Sequence, residues 1–394
     1  MKALIKIIKE VKVYAPEYLG IKDVVLVGNK ICSIGDNLEV TQNNAVAVDI
    51  IHGKGKILTP GFIDNHVHII GGGGEGGFRT RTPEIKLTDI TTAGITTVVG
   101  CLGTDGITRN MMSLLAKARS LEEDGITTFI YSGSYRIPVT TITGDVSKDL
   151  IAIDKVIGVG EIAISDHRSS QPTIDELKKL AADARVSGIL SGKAGIVNIH
   201  VGDGDSMIDV LTEIVENTEI PYTQFIPTHM NRNARLFEAA IKYAKSGGFI
   251  DFTTSSDPVF WEEGEVKVSK GLKKCYEAGV SENNITLSSD GQGSLPMFNE
   301  NKEFAGLQVG KVSSLFEEIR DAVIDENLPL EKVLKTVTSN PATLLKLNGK
   351  GRIKEGYDAD VVLLNEKDLT IHTVIAKGQI VVENKEIKVF GTFE

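Results

Sequence analysis

The sequence predicts an α/β fold, in which a closed (β/α)8 TIM-like barrel carries a small β-sandwich domain formed by the N- and C-terminal segments. Three observations predict it. Eight short apolar runs alternate with helix-like segments over about 230 residues, close to the size typical of such barrels. Ionisable residues close runs one, four, five, six and eight, and they can converge on one point only if the sheet closes on itself. The two chain ends share a different texture of short alternating strands with no helical period. The expected boundaries are 1–58 and 346–394 for the sandwich and 59–345 for the barrel.

In chain order, LIKIIKEVKVY, DVVLVGNKICSIG and AVAVDIIHGKG read as alternating strands separated by turn residues. The barrel strands are then GFIDNHVH, ITTVVGC, TTFIYSGS, VIGVGEIAIS, GIVNIHVGD, YTQFIPTHM, FIDFTT and ITLSSDG. Segments such as NMMSLLAKARSLEED, TIDELKKLAADARVSG and NARLFEAAIKYAKSG supply helices between them. ADVVLLN, IHTVIAKGQIVVEN and IKVFG return to the first texture. An open doubly wound sheet would show the same alternation, but no GxGxxG follows the first barrel strand.

At 394 residues with 41% hydrophobic content the chain can bury a large core. Its net charge of −10 opposes the positive field that a phosphate backbone requires, so nucleic acid is not an expected partner. No run of about 18 apolar residues is present, and the N-terminus alternates apolar with charged residues, so a cytoplasmic protein without membrane contact is expected. Cys32, Cys101 and Cys275 are too scattered for a disulfide framework or a CxxC metal site.

The most informative stretch is PGFIDNHVH, residues 60–68. His66 and His68 are two apart on a strand, so both imidazoles face one side and can reach one ion; Asp64 shares that face. Alone, HxH is a weak signal that an edge strand with two solvated histidines would equally produce. The chain has only seven His, and His200 and His229 also close apolar runs, as Asp290 does. Packing does not explain that coincidence. His52 and His372 lie outside the barrel, and His167 neighbours the site as a supporting residue.

HxH on strand one, a carboxylate on strand four, His on strands five and six, and Asp on strand eight resemble the amidohydrolase superfamily pattern. Within it, PGFIDNHVHIIGGGGEGGFRTRTPE, YSGSYRIPVTTITGD, ISDHRSS and THMNRN closely resemble the isoaspartyl (β-aspartyl) dipeptidases, over the whole chain. The resemblance implies two divalent metal ions, zinc by preference. His66, His68 and Asp290 would hold one and His200 and His229 the other, with a carboxylate bridging them. It implies hydrolysis of small β-aspartyl dipeptides through a metal-bound hydroxide, with Asp290 as general base and Tyr135 polarising the carbonyl or stabilising the oxyanion. Glu75, in the glycine-rich loop, would pair with the substrate's α-amino group, and Arg168 and Arg232 with its carboxylate. Gly73, Thr104 and Ser294 match further substrate contacts. A large homo-oligomer, such as an octamer, is also implied.

One position departs from the pattern. The strand-four bridge is usually a lysine carboxylated by carbon dioxide, whereas here Glu161 stands in its place. The charge is kept but the reach is shorter, so either the metals sit closer to strand four, or the strand bulges inward at Gly160, or only one metal binds tightly. A bridging Glu161 is the favoured expectation. Two other readings are a cyclic-amide hydrolase of the hydantoinase or dihydroorotase kind and a metal-free scaffold. Cyclic ureides have no ammonium for Glu75 to bind, and a scaffold predicts eroded ligands.

Overall fold

In the computed structural model, which describes residues 3–299 and 304–394, the chain begins with β1 (Ala3–Tyr14), β2 (Tyr18–Val27), β3 (Lys30–Gly35), β4 (Val46–His52) and β5 (Lys56–Pro60). β1 is long because it serves two layers. Its first half pairs in parallel with β4 and its second half with β5, and a register shift between Ile8 and Val11 turns the strand from one to the other. The C-terminal strands β16 (Val361–Asn365), β17 (Ile371–Ala376), β18 (Gln379–Glu383) and β19 (Glu386–Ile387) extend the same sheet. β16 pairs antiparallel with β5, so the two chain ends are joined strand to strand.

The period of two along β16 explains how this module is held. Val361 and Leu363 pack into a core with Ile8, Val24 and Ile31, while Val362 and Leu364 face the barrel core. Both faces of the strand are therefore dry, and the module is fused to the barrel. A polar junction adds to this. Lys350 is buried, and its Nζ donates to Thr127 Oγ1 at 2.7 Å, Asp360 Oδ2 at 2.5 Å and Asp358 Oδ2 at 2.9 Å, tying the foot of a barrel strand to the entry of β16. Burial pushes the Asp358 carboxyl up, but the ammonium groups of Lys30 and Lys350 outweigh it and hold it below its usual range. A depressed carboxyl stabilises the fold above its unfolded value and loses that contribution as pH falls through the native one. Lys350→Met should destabilise the protein by about 3 kcal/mol, because it leaves the buried Asp360 carboxylate without its cation while Asp358 keeps Lys30. Denaturant melts would read this as a lowered midpoint that partly recovers toward pH 4, and equal stability at neutral pH would refute it.

The barrel consists of β6 (Phe62–Val67), β7 (Ile95–Gly100), β8 (Thr127–Ser132), β9 (Val156–Ile164), β10 (Ile196–Val201), β11 (Phe225–Thr228), β12 (Ile250–Thr253) and β13 (Ile285–Ser288). β6 to β11 form one continuous parallel sheet and β12 pairs with β13. Side chains and single backbone bonds close the two seams. Asp251, buried on β12, accepts from Thr228 Oγ1 on β11 at 2.7 Å, Thr286 Oγ1 at 2.6 Å and Ser288 Oγ at 2.5 Å on β13, and Asn65 Nδ2 on β6 at 3.2 Å. Asp64 Oδ1 accepts from Ser289 N at 3.1 Å, and His68 N donates to Gly291 O at 2.9 Å.

The helices expected between strands form at Met111–Glu123, Ile174–Ser191 and Ala234–Lys245. Each starts on a capping side chain: Asn110 accepts from Ser113 N, Thr173 and Glu176 make a reciprocal capping box, and Asn233 accepts from Leu236 N. After β13 the chain makes a hairpin of β14 (Ser294–Phe298) and β15 (Phe304–Val309) at the catalytic rim, which the sequence pattern does not announce. Among the described residues no helix is long and apolar enough to cross a membrane.

Candidate active site

The C-terminal ends of the barrel strands gather the ligand candidates. His66 is on β6 and His68 is one residue past it; Glu161 is on β9, His200 on β10, His229 directly after β11, and Asp290 two residues after β13. The bond from His68 N to Gly291 O runs β6 alongside the end of β13 and brings Asp290 Oδ1 within 3.0 Å of His68 Nε2 and 3.6 Å of His66 Nε2. His229 and Asp290 both adopt positive φ, 63° and 53°, a conformation costing about 1–3 kcal/mol that persists where the surroundings over-determine it.

Glu161 sits at the centre. Its Oε2 is 3.3 Å from His66 Nε2, 3.3 Å from His200 Nδ1 and 3.8 Å from His229 Nε2, and its Oε1 is 3.5 Å from His68 Nε2. The strand that carries it is bulged at this point. Across the β9–β10 ladder Val159 faces Val197 and Ile162 faces Ile199, so Gly160 and Glu161 together oppose one residue, Asn198. Gly160 adopts φ +147°, and a Cβ there would meet the Asn198 Cβ at 2.8 Å, so the bulge requires glycine. A bulge at Gly160 is among the alternatives left open by the shorter side chain, and β9 has one there.

Each imidazole is steered by a partner on its far nitrogen. His66 Nδ1 meets Asn198 Oδ1 at 3.2 Å, His229 Nδ1 meets Thr253 Oγ1 at 2.5 Å, His200 Nε2 meets Asp166 Oδ2 at 2.9 Å, and Cys101 Sγ lies 3.7 Å from His68 Nδ1. The opposite nitrogens face inward, toward Glu161, the arrangement characteristic of metal-binding histidines. Both oxygens of Glu161, His66 Nε2 and Asp290 Oδ1 are buried without any hydrogen-bond partner. Buried carboxylate oxygens with no donor are costly, and a cation satisfies them. The buried His, Cys and Glu side chains can therefore hold a metal, in two overlapping groups that share Glu161. Burial raises the Glu161 carboxyl, but the surrounding imidazoles outweigh it and keep it ionised, while burial and the nearby His200 push His229 down to about 3, so it stays neutral and able to ligate.

A cavity of about 510 Å³ opens over this centre, and Gly73, Glu75, Thr104, Arg168, Arg232 and Ser294 all line it. Glu75 Oε1 accepts from Thr104 Oγ1 at 2.8 Å and lies 3.3 Å from Arg168 Nη1. Arg232 is anchored by its Nε on Val201 O at 3.2 Å. The Tyr135 hydroxyl is 2.8 Å from His200 Nδ1, and burial together with the Glu161 charge holds its pKa well above the usual value, so it remains a donor. His167, expected beside the site, turns outward with its side chain 86% exposed. The neighbouring Asp166 makes the contact to His200 instead. Asp64 lies one layer below the cluster, at the barrel seam, where burial pushes it up to about 7.

The profile of the amidohydrolase family matches residues 57–381. This chain belongs to the amidohydrolase family. Two solved structures of β-aspartyl dipeptidase from Fervidobacterium islandicum AW-1 superpose on this amidohydrolase with TM-scores of 0.89 and 0.88. They are 50% and 48% identical to it, each aligned over 98% of both chains, and the first was solved with the dipeptide β-Asp-Leu. Among curated relatives, a 5-methylthioadenosine/S-adenosylhomocysteine deaminase from Carboxydothermus hydrogenoformans is 23% identical over 93% of this chain and 89% of its own. This amidohydrolase is thus a hydrolase with dipeptidases among its structural neighbours.

Proposed function

We propose that this amidohydrolase hydrolyses β-aspartyl dipeptides at a binuclear metal centre. The observation that carries the reading is the juxtaposition of Glu75 and Arg168, opposite charges 3.3 Å apart at the mouth of the cavity over the His and Asp290 cluster. A β-linked aspartyl residue offers the complement, a free ammonium and a free carboxylate on the carbon next to the chain that carries its scissile amide. An α-linked peptide spends that carboxylate in the peptide bond. The 50% identity to an enzyme solved with β-Asp-Leu supports the same substrate class.

In this reading His66, His68 and Asp290 would hold one ion and His200 and His229 the other, with Glu161 available to both. When bound, such ions, zinc by preference, polarise the scissile carbonyl and lower the pKa of water to about 7. The chain does the rest. Glu75 pairs with the substrate ammonium and Arg168 with its carboxylate, which fixes the scissile carbonyl over the centre. Arg232, which also lines the cavity, adds its charge to that carboxylate. Asp290 accepts a proton and delivers it to the leaving amine nitrogen. Tyr135, kept protonated, donates its hydroxyl hydrogen to the oxygen that becomes negative.

Cleavage of β-Asp-Leu should exceed that of α-Asp-Leu by roughly 10²-fold or more in kcat/KM, because misplaced charges leave Glu75 and Arg168 unpaired. Equal rates on both isomers would overturn the reading, and turnover of hydantoin or dihydroorotate in their place would favour a cyclic-amide hydrolase. Glu75→Gln should cost about 1.5–3 kcal/mol in kcat/KM, the worth of a hydrogen bond to a charged group. Unchanged kinetics would remove Glu75 from the site.

A further inference from the structure

We propose that Asp166 is a positioning residue whose one carboxylate couples capture of the substrate's carboxylate by Arg168 to the ligand geometry of His200. The inference rests on the dipeptidase reading and adds a residue to it. Asp166 is 6% exposed, and its two oxygens serve two masters. Oδ1 accepts from the Arg168 backbone N at 2.7 Å and from Arg168 Nε at 2.9 Å. Oδ2 accepts from Arg168 Nη2 at 2.7 Å and faces His200 Nε2 at 2.9 Å.

Each contact has a consequence. The guanidinium is gripped along its Nε and Nη2 edge, so Nη1 is the part presented toward Glu75 and the cavity. An ionised carboxylate only accepts, so the His200 proton resides on Nε2 and the lone pair on Nδ1. That nitrogen lies 3.3 Å from Glu161 Oε2 and 2.8 Å from the Tyr135 hydroxyl oxygen. The Asp166 backbone is itself wedged in place. Gly202 N bonds Ile164 O at 3.0 Å and Gly204 N bonds Ser165 O at 2.8 Å, and a Cβ on Gly202 would meet the Asp166 Cβ at 2.6 Å. A shift of Arg168 toward a bound carboxylate is therefore transmitted to His200 through a rigid intermediary.

The test compares Asp166→Asn with Arg168→Gln, both loaded with zinc and dialysed against a zinc-chelating dye, with metal per chain measured alongside steady-state kinetics on β-Asp-Leu. Asp166→Asn should retain its far-ultraviolet circular dichroism, lose zinc about 10–100-fold more readily than wild type, and raise KM. Arg168→Gln should raise KM while keeping its zinc. Asp166→Ser, with a smaller side chain, carries the same expectation if the Asn variant does not fold. Wild-type zinc retention in a folded Asp166 variant, or zinc loss with an unchanged KM, would overturn the coupling. The zinc readout needs no substrate, so wild-type inactivity on β-aspartyl dipeptides would defeat the proposed function and leave the Asp166–His200 link to be decided by metal retention.

Discussion

Asp290→Asn is expected to lower kcat on β-Asp-Leu by about 10²–10⁴-fold while leaving metal bound. The five other candidate ligands are shut away, with side-chain exposures of 0% for His66, 7% for His68, 1% for Glu161, 3% for His200 and 5% for His229. Asp290, at 19%, is the most exposed of the six and lines the cavity, as a group that exchanges a proton with substrate has to. The same geometry fits it to both tasks. Its Oδ1 is aimed at His68 and His66, and the nearby imidazoles outweigh burial to hold its carboxyl below the usual range, ready to accept. An amide keeps the shape and an acceptor oxygen but cannot carry the proton to the leaving amine. Metal analysis with single-turnover kinetics separates the roles. A fully metallated Asp290→Asn enzyme turning over at the wild-type rate would require another base.

Glu161→Gln should remove at least one ion per chain and cut activity by more than about 100-fold, beyond what loss of a ligand's outer partner typically costs. Four imidazoles converge on this carboxylate, and a neutral amide would present a donor to nitrogens that already need an acceptor-free space for a cation. In the proposed centre its charge would hold two dications side by side. With the bridge encoded directly, as proposed, apo-protein given zinc in bicarbonate-depleted buffer should regain full activity. Glu161→Lys sharpens the test. On a strand already bulged inward for a short side chain, a longer lysine carbamate overreaches, so partial and bicarbonate-dependent activity is expected. Bicarbonate-dependent wild type, or a fully metallated and active Glu161→Gln, would refute the bridging role.

Legibility in the sequence followed locality. The strand and helix alternation, the capping residues Asn110, Thr173 and Asn233, and the paired His66 and His68 are each set by residues a few positions apart, and each is where the local pattern puts it. The hairpin that brings Ser294 to the rim was not legible, because Pro296 interrupts its strand and its pairing is purely tertiary. Asp166 was passed over in favour of its neighbour His167. A signal existed: a carboxylate two residues before an arginine expected to bind substrate, on the loop after the bridging strand. Choosing between adjacent residues needed the direction of the turn at Ser165, where φ is +53°.

By itself the sequence determined the barrel and the chain-end module, since hydrophobic period is a local property. The tertiary structure alone decided the bulge beneath Glu161, the partner of His200 Nε2 and the closure of the ring through Asp251. Each depends on an atom contributed by a strand far away in sequence: Asn198 against the Gly160 bulge, Asp166 on His200, and the hydroxyls of Thr228, Thr286 and Ser288 on Asp251. A carboxylate's role is set by which donors surround it once water is excluded, and burial of that kind exists only after the strands have closed.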